Sequence, residues 1–358
     1  MPITRRKAAA RVALAGLIVL VFLAGRRFLL VGSLALKILD HTEALDAWKG
    51  PVLHRTVEHA GIPIDIYGAD GSPLLIIHGV NTTGKNSLDL MRISEALAQV
   101  GYQVFVPDLI EMKRLHLVPD EVVRIKSVFQ FIGKDAGIAC FSYGCGPALI
   151  AAADVDIRAH VRFAIAFGGY FDVRETLEFV ITGPETPTAY LKWYYLEANA
   201  DVALEESDRS RLKRIAELSR WKHPIGADIV DGLTPEGKAL LRIFHASTRE
   251  EFRTLLQAGG EPVNRRLDLL SPSGFVKHLQ APVVVIHGIN DPVVPARQSI
   301  ELAEAARANG LDSSLTLLRM YGHVNPVLPK VGVGSIFDFY LPEMFRLLRV
   351  LNRIVSLK

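Results

Sequence analysis

The chain has 358 residues, 49% of them hydrophobic and 22% charged, with a formal net charge of +3 at pH 7. That length supports a large core, or a core with an inserted lid. The near-neutral balance, with no Lys/Arg stripe interleaved with aromatics, excludes the footprint of a nucleic-acid binder. Cys140 and Cys145 are too few for a disulfide framework; five positions apart, they read as small packing residues rather than as a bridge, and no zinc-type ligand spacing is present.

The N-terminus differs from the rest. Arg5, Arg6, Lys7 and Arg11 precede an uncharged run from Val12 to Gly25, and Arg26 and Arg27 separate it from a second apolar stretch, Phe28 to Leu36. The run is shorter than the roughly 20 residues that span a bilayer squarely. Residues 1–40 therefore leave three readings open: a signal peptide with Ser33-Leu34-Ala35 as a cleavage site, an uncleaved transmembrane anchor whose arginines snorkel to the headgroups, or an amphipathic leader helix. The expectation is a membrane-associated or exported protein. Basic residues on both sides of the run leave its orientation open, and Thr4-Arg5-Arg6 resembles a twin-arginine signal with a poor continuation in Lys7-Ala8-Ala9.

From residue 52 the pattern alternates. His54–His59 and Pro63–Tyr67 read as an opening strand pair. Leu74–Ile77, Tyr102–Val106, Gly137–Phe141 and Val161–Phe167 are continuous apolar runs, as expected of strands buried on both faces. Between them, Ser87–Val100, Glu121–Ile132 and Pro147–Ala153 read as helices, the first two with apolar residues at helical spacing. The rhythm breaks from Asp172 to Leu279, a helical, polar-rich stretch punctuated by Pro184, Pro187, Pro224 and Pro235. It resumes with a strand at Val283–Ile286, a helix at Gln298–Ala308, a strand at Ser314–Met320 and a last amphipathic helix at Ser335–Val355. Such alternation predicts an α/β fold: a mostly parallel central sheet with helices on both faces, its core formed by residues 52–171 and 280–358. Residues 172–279 then form an inserted helical cap over the C-terminal edge of the sheet, where ligands bind in such folds.

Four segments carry chemistry. In Ile138-Ala139-Cys140-Phe141-Ser142-Tyr143-Gly144-Cys145-Gly146 a strand runs through Ser142 into a helix of small residues, the setting of a nucleophile elbow. The turn is tight, so the positions two before and two after the serine must be small; Gly144 satisfies this, and Cys140 stands where Gly is usual. The bland alternative is an ordinary turn with a capping serine. Asp291 lies in the loop after the buried strand Val283–Ile286, where a carboxylate can orient a histidine ring; a turn or capping aspartate would look the same. His323 follows the last strand beside Gly322. The chain order Ser142, Asp291, His323, each at the end of a separate strand, argues for a triad more strongly than any one of them. After the strand Leu74–Ile77, Gly79 lets the chain turn so that the N–H of Val80, with that of Tyr143, forms an oxyanion hole. Asp172, after the strand that follows the elbow, is a second candidate for the acid.

One segment competes. Gly79 to Asn86 falls one residue short of the phosphate-binding pattern Gly-x4-Gly-Lys-Ser/Thr, because Asn86 holds the position of the magnesium-binding hydroxyl and Ser87 comes a step late. A nucleotide-binding reading also leaves Ser142, Asp291 and His323 unexplained.

Taken together, His78-Gly79-Val80-Asn81, Phe141-Ser142-Tyr143-Gly144, His287-Gly288 through Asp291 to Val294-Pro295, and Gly322-His323 resemble the α/β-hydrolase superfamily. Phe167-Gly168-Gly169-Tyr170-Phe171-Asp172 is similar to its dienelactone-hydrolase and prolyl-oligopeptidase-like branches. The resemblance spans residues 52–172 and 280–355. It implies a serine hydrolase, esterase- or lipase-like, that cleaves a carboxylic ester or related acyl compound with no cofactor or metal; the partner expected is a small-molecule or lipid ester, and residues 1–40, outside the resemblance, add a membrane. Two other readings stand beside it: a binding protein that keeps the fold without activity, and the nucleotide-binding protein above. The cap aromatics Tyr190, Trp193, Tyr194, Tyr195 and Trp221 either line an acyl pocket or simply pack the insertion.

Overall fold

The computed structural model describes residues 25, 27–35, 37–38, 50–183, 190–330 and 332–358. The chain forms one eight-stranded sheet: β1 (His54–His59), β2 (Ile62–Tyr67), β3 (Ser72–Ile77), β4 (Tyr102–Pro107), β5 (Ala136–Phe141), β6 (Val161–Phe167), β7 (Val283–Gly288) and β8 (Ser313–Leu318). Their order is β1-β2-β4-β3-β5-β6-β7-β8. The pairs β1–β2 and β2–β4 are antiparallel, and every later pair is parallel. The parallel part needs crossovers, supplied by the helices α1 (Leu88–Gln99), α2 (Asp120–Ile132), α3 (Cys145–Ala152) and, after the insertion, α10 (Arg297–Ala308). The last helix, α11 (Leu341–Val355), follows β8.

Strand alternation sends neighbouring side chains to opposite layers. Leu75, Ile77, Ile138 and Cys140 pack in the layer of α2, α3, α10 and the cap. Leu74, Ile76, Ala139, Ile165 and Ile286 pack in the other layer, against α1 and α11. Both faces are covered, which is why these strands read as unbroken apolar runs and not as alternating ones.

Between β6 and β7 the chain forms α4 (Val173–Thr182), α5 (Leu191–Ala198), α6 (Glu206–Arg220), α7 (Pro235–Phe244), α8 (Arg249–Ala258) and α9 (Glu261–Leu270), with no strand among the described residues. Thr234 and Thr248 cap α7 and α8 by accepting the N–H of Gly237 and Glu251, and Pro235 occupies a first-turn position where its missing N–H is harmless. Pro184 and Pro187 lie outside the described residues.

Of the uncharged run Val12–Gly25, all but Gly25 lies outside the described residues, and no described helix is long and apolar enough to cross a membrane. Residues 27–35 are helical, and the Ser33-Leu34-Ala35 triplet lies inside that helix. Val31, Leu34 and Ala35 are buried in the α1/α11 layer. Arg27 ties this helix to α11 through its Nε to Asn352 Oδ1 at 2.6 Å and a second donor to the Asn352 carbonyl at 3.1 Å.

A buried polar contact fastens the C-terminal helix to the sheet. Tyr102 in β4 donates its hydroxyl to the Ile354 carbonyl at 2.6 Å, and burial pushes that hydroxyl well above its usual range. Tyr102→Phe removes the donor while keeping the ring. It should cost about 1 kcal/mol, read as a lower urea midpoint with an unchanged slope; an unchanged midpoint would contradict this role.

Candidate active site

The strand β5 ends in a forced turn. Ser142 has φ of +51°, a left-handed conformation that a residue with a Cβ adopts at a cost of about 1–3 kcal/mol. Packing holds it there. A Cβ at Gly144 would lie 2.2 Å from the His78 carbonyl oxygen, and one at Gly146 would lie 1.8 Å from the Tyr170 hydroxyl. The small residues after the serine are thus steric requirements: they let α3 start hard against β3 and β6. Cys140 and Cys145 were expected to be unbridged. The turn folds them back on each other, with Cα atoms 4.8 Å apart and the sulfurs paired as a disulfide. The spacing hid this because five residues reach that closely only around so sharp a bend.

His323 sits beyond β8 in a closed loop. Gly322 donates to the Asn325 carbonyl at 3.1 Å, and Val327 to that of Met320 at 2.8 Å. Glu343, fully buried at the start of α11, accepts the N–H groups of Arg319 at 2.6 Å and Met320 at 3.2 Å and pins the strand end that leads into the loop. A Cβ at Gly288 would lie 2.0 Å from the Gly322 carbonyl, so only glycine lets β7 press against the histidine loop. The imidazole bridges two partners: Nε2 lies 2.5 Å from Ser142 Oγ and Nδ1 2.6 Å from Asp291 Oδ2.

Asp291 is buried, and a buried carboxylate requires donors. Its Oδ1 accepts the N–H groups of Val293 and Val294 at 2.8 and 2.9 Å. Its Oδ2 faces His323 and, at 3.2 Å, Nε2 of His287. His287 is itself fixed by Ser299 Oγ at 2.6 Å and the Val294 carbonyl at 2.9 Å. Burial alone would raise the Asp291 pKa. The hydrogen bonds from His287 and His323 outweigh it, and the net shift is downward from the ordinary value of 3.8.

This is the geometry of a serine-histidine-aspartate relay built at the C-terminal ends of β5, β7 and β8, on a mostly parallel sheet in the order given above. The fold is that of the α/β-hydrolases. The family model BD-FAE matches residues 227–306, a stretch that includes Asp291 but neither Ser142 nor His323. No curated protein matches the sequence. Among solved structures, the chain is similar to a meta-cleavage product hydrolase of Pseudomonas fluorescens IP01, at 20% identity over 84% of this chain and 98% of that one, with a TM-score of 0.45. It is similar to Est1E of Butyrivibrio proteoclasticus at 15% identity, over 85% and 98%, with a TM-score of 0.46. It is similar to the acylaminoacyl peptidase of Pyrococcus horikoshii at 14% identity, over 86% and 42%, with a TM-score of 0.47. The sheet order and the turn at Ser142 define this fold without them.

The remaining expected residues fall as follows. Val80 and Tyr143 border the same cavity as Ser142 and His323. The Val80 N–H takes no part in the backbone hydrogen bonding of turns and loops among the described residues. Its loop is set by buried His78, whose Nδ1 donates to the Gly79 carbonyl at 2.8 Å and whose Nε2 accepts the Leu109 N–H at 3.1 Å. Burial lowers the His78 pKa, which favours this neutral form. Asp172, the second candidate acid, caps α4 instead, with Oδ1 accepting the Arg174 N–H at 2.8 Å. The phosphate-loop reading of Gly79–Asn86 meets an occupied lysine: Lys85 Nζ lies 2.9 Å from Asp65 and 3.1 Å from Asn86. Of the cap aromatics, Tyr190 and Tyr195 line the cavity, Trp193 packs on His245, Tyr194 lies under the Arg220 guanidinium, and Trp221 is exposed.

The depressed carboxyl pKa has a consequence for stability. Asp291 in the unfolded chain takes up its proton before the folded one does, so its stabilisation is complete above the ordinary value of 3.8 and is lost as pH falls through the lower folded value. Urea unfolding should show the gap between wild type and Asp291→Asn closing as pH drops from about 5 towards 2. A gap that widens on acidification would contradict the downward shift.

Proposed function

We propose that the chain is a serine hydrolase that cleaves a carboxylic ester, or a related acyl compound, through an acyl-enzyme. The supporting observation is the unbroken path from Ser142 Oγ through His323 to Asp291, with contacts of 2.5 and 2.6 Å. In this reading Nε2 of His323 takes the Ser142 proton as Oγ attacks the acyl carbon. The carbonyl oxygen becomes an oxyanion, held by the N–H groups of Val80 and Tyr143. When the tetrahedral centre collapses, the carbon–oxygen bond to the alcohol breaks, and His323 returns the proton to the leaving alkoxide. Water then attacks the acyl-enzyme with His323 again as base, releasing the acid and restoring Ser142. Asp291 keeps Nδ1 protonated and offsets the imidazolium charge, and His287 positions Asp291.

A non-catalytic binding protein of the same fold is the other reading. Turnover of a short-chain p-nitrophenyl ester separates the two. Wild type should turn it over, and Ser142→Ala should lower kcat by at least about 10⁴-fold. Equal rates would remove the serine mechanism.

Association with a membrane is part of the same proposal. It is supported by the uncharged run Val12–Gly25 between basic residues, and by the exposed apolar side chains Phe28, Leu29, Phe337, Leu341 and Phe345 on the folded surface. The full chain should float with anionic lipid vesicles in a density gradient; its remaining at the bottom would contradict this.

A further inference from the structure

The cavity that reaches Ser142 is much larger than the reacting groups need. It holds about 570 Å³, inside the roughly 300–1,000 Å³ range of sites that engulf a small organic ligand. One side is the expected one, under the cap, where Leu115, Leu191 and Tyr195 line it. The other side lies in the opposite layer, between the sheet and its helices. There the walls are Leu34, Ile76, Ala139, Ile165, Leu347 and Leu351.

Protein interiors carry few voids larger than a water molecule, and unfilled apolar space costs stability. A cavity of this total size that extends into the core points to a ligand that fills it. Ala139 keeps it open: β5 places this small residue in register with Ile76 on one side and Ile165 on the other. Lys37 borders the chamber, but its ammonium is engaged by Glu95 at 3.3 Å and Gln99 at 3.4 Å. Ser87, Asp89 and Arg92 border it at the start of α1; the rest of this side is mainly apolar, and Ser142 and His323 stand at the reacting end. A group that belongs there is a long hydrocarbon chain with a reactive carbonyl at one end.

We infer that this chamber between the sheet and the α1/α11 layer holds the acyl chain of the substrate, so that the enzyme acts on long-chain fatty acyl esters. The inference rests on the hydrolase reading only for its catalytic half. The ester carbonyl sits at Ser142 Oγ, the acyl tail runs back along Ala139 towards Leu34 and Leu351, and the alcohol leaves on the cap side. The helix at residues 27–35 supplies part of the wall through Leu34, so this helix is part of the substrate site.

Two measurements on the full chain test this. Ser142→Ala should bind cis-parinaric acid saturably, and palmitate should displace it. With p-nitrophenyl esters of increasing acyl length, wild-type kcat/KM should rise about fourfold per added methylene until the chamber is full. Val350 of α11 also lines the chamber, so Ala139→Leu and Val350→Phe narrow it from the sheet and the helix side. Each should lower the laurate-to-butyrate ratio of kcat/KM at least tenfold, with folding checked by thermal melts. Turnover of short esters with neither fatty-acid binding nor acyl-length preference would overturn the chamber and leave the hydrolase. Preference set by the alcohol instead of the acyl group would also overturn it. Fatty-acid binding without turnover of any ester would keep the chamber and sink the hydrolase.

Discussion

An ionised carboxylate survives inside a protein only if donors surround it, and the Asp291 side chain has them: two backbone N–H groups, His287 and His323. That requirement organises the site. The loop after β7 must curl so that Val293 and Val294 point back at Oδ1. His287 must stay fully buried and fixed by Ser299. The loop after β8 must deliver the His323 ring, and Glu343 and Gly288 hold that loop in place. Only then does Nε2 reach the strained serine at the end of β5.

The strain at Ser142 and the order at Asp291 are complementary. A serine at φ +51° is a local cost, sustained because the strand, the turn and α3 are packed too closely to relax. Gly144 against the His78 carbonyl and Gly146 against the Tyr170 hydroxyl are the contacts that enforce it. The same His78 fixes the loop that carries Val80. The proposed nucleophile and oxyanion donors are therefore positioned by one piece of packing, and electrostatic preorganisation of this sort carries much of the rate in acyl transfer.

Much of this was legible in the chain. Buried parallel strands need apolar residues on both faces, so Leu74–Ile77 and Val283–Ile286 stood out as runs. The elbow needs small neighbours, so Gly144 marked Ser142. The order of Ser142, Asp291 and His323 at three strand ends did the rest. What was hidden depends on contacts between distant segments. His78, His287 and Glu343 are ordinary polar residues until the fold buries them beside their partners. The pairing of Cys140 with Cys145 depends on a bend that spacing does not reveal. The packing of residues 27–35 on α11 was hidden because the apolar face of a core helix and that of a leader have the same composition. Nor can a void be read from periodicity: Ala139 looks like any small strand residue until Ile76 and Ile165 are placed beside it.

Whether Ser142, His323, Val80 and Tyr143 act on one acyl carbon is decided by a crystal structure of the protein treated with a phosphonate ester that mimics the tetrahedral intermediate. It should show a covalent bond to Ser142 Oγ, with the phosphoryl oxygen within hydrogen-bond reach of the Val80 and Tyr143 N–H groups and His323 still bound to Asp291. An unmodified Ser142, or an adduct whose oxygen faces away from both N–H groups, would contradict it.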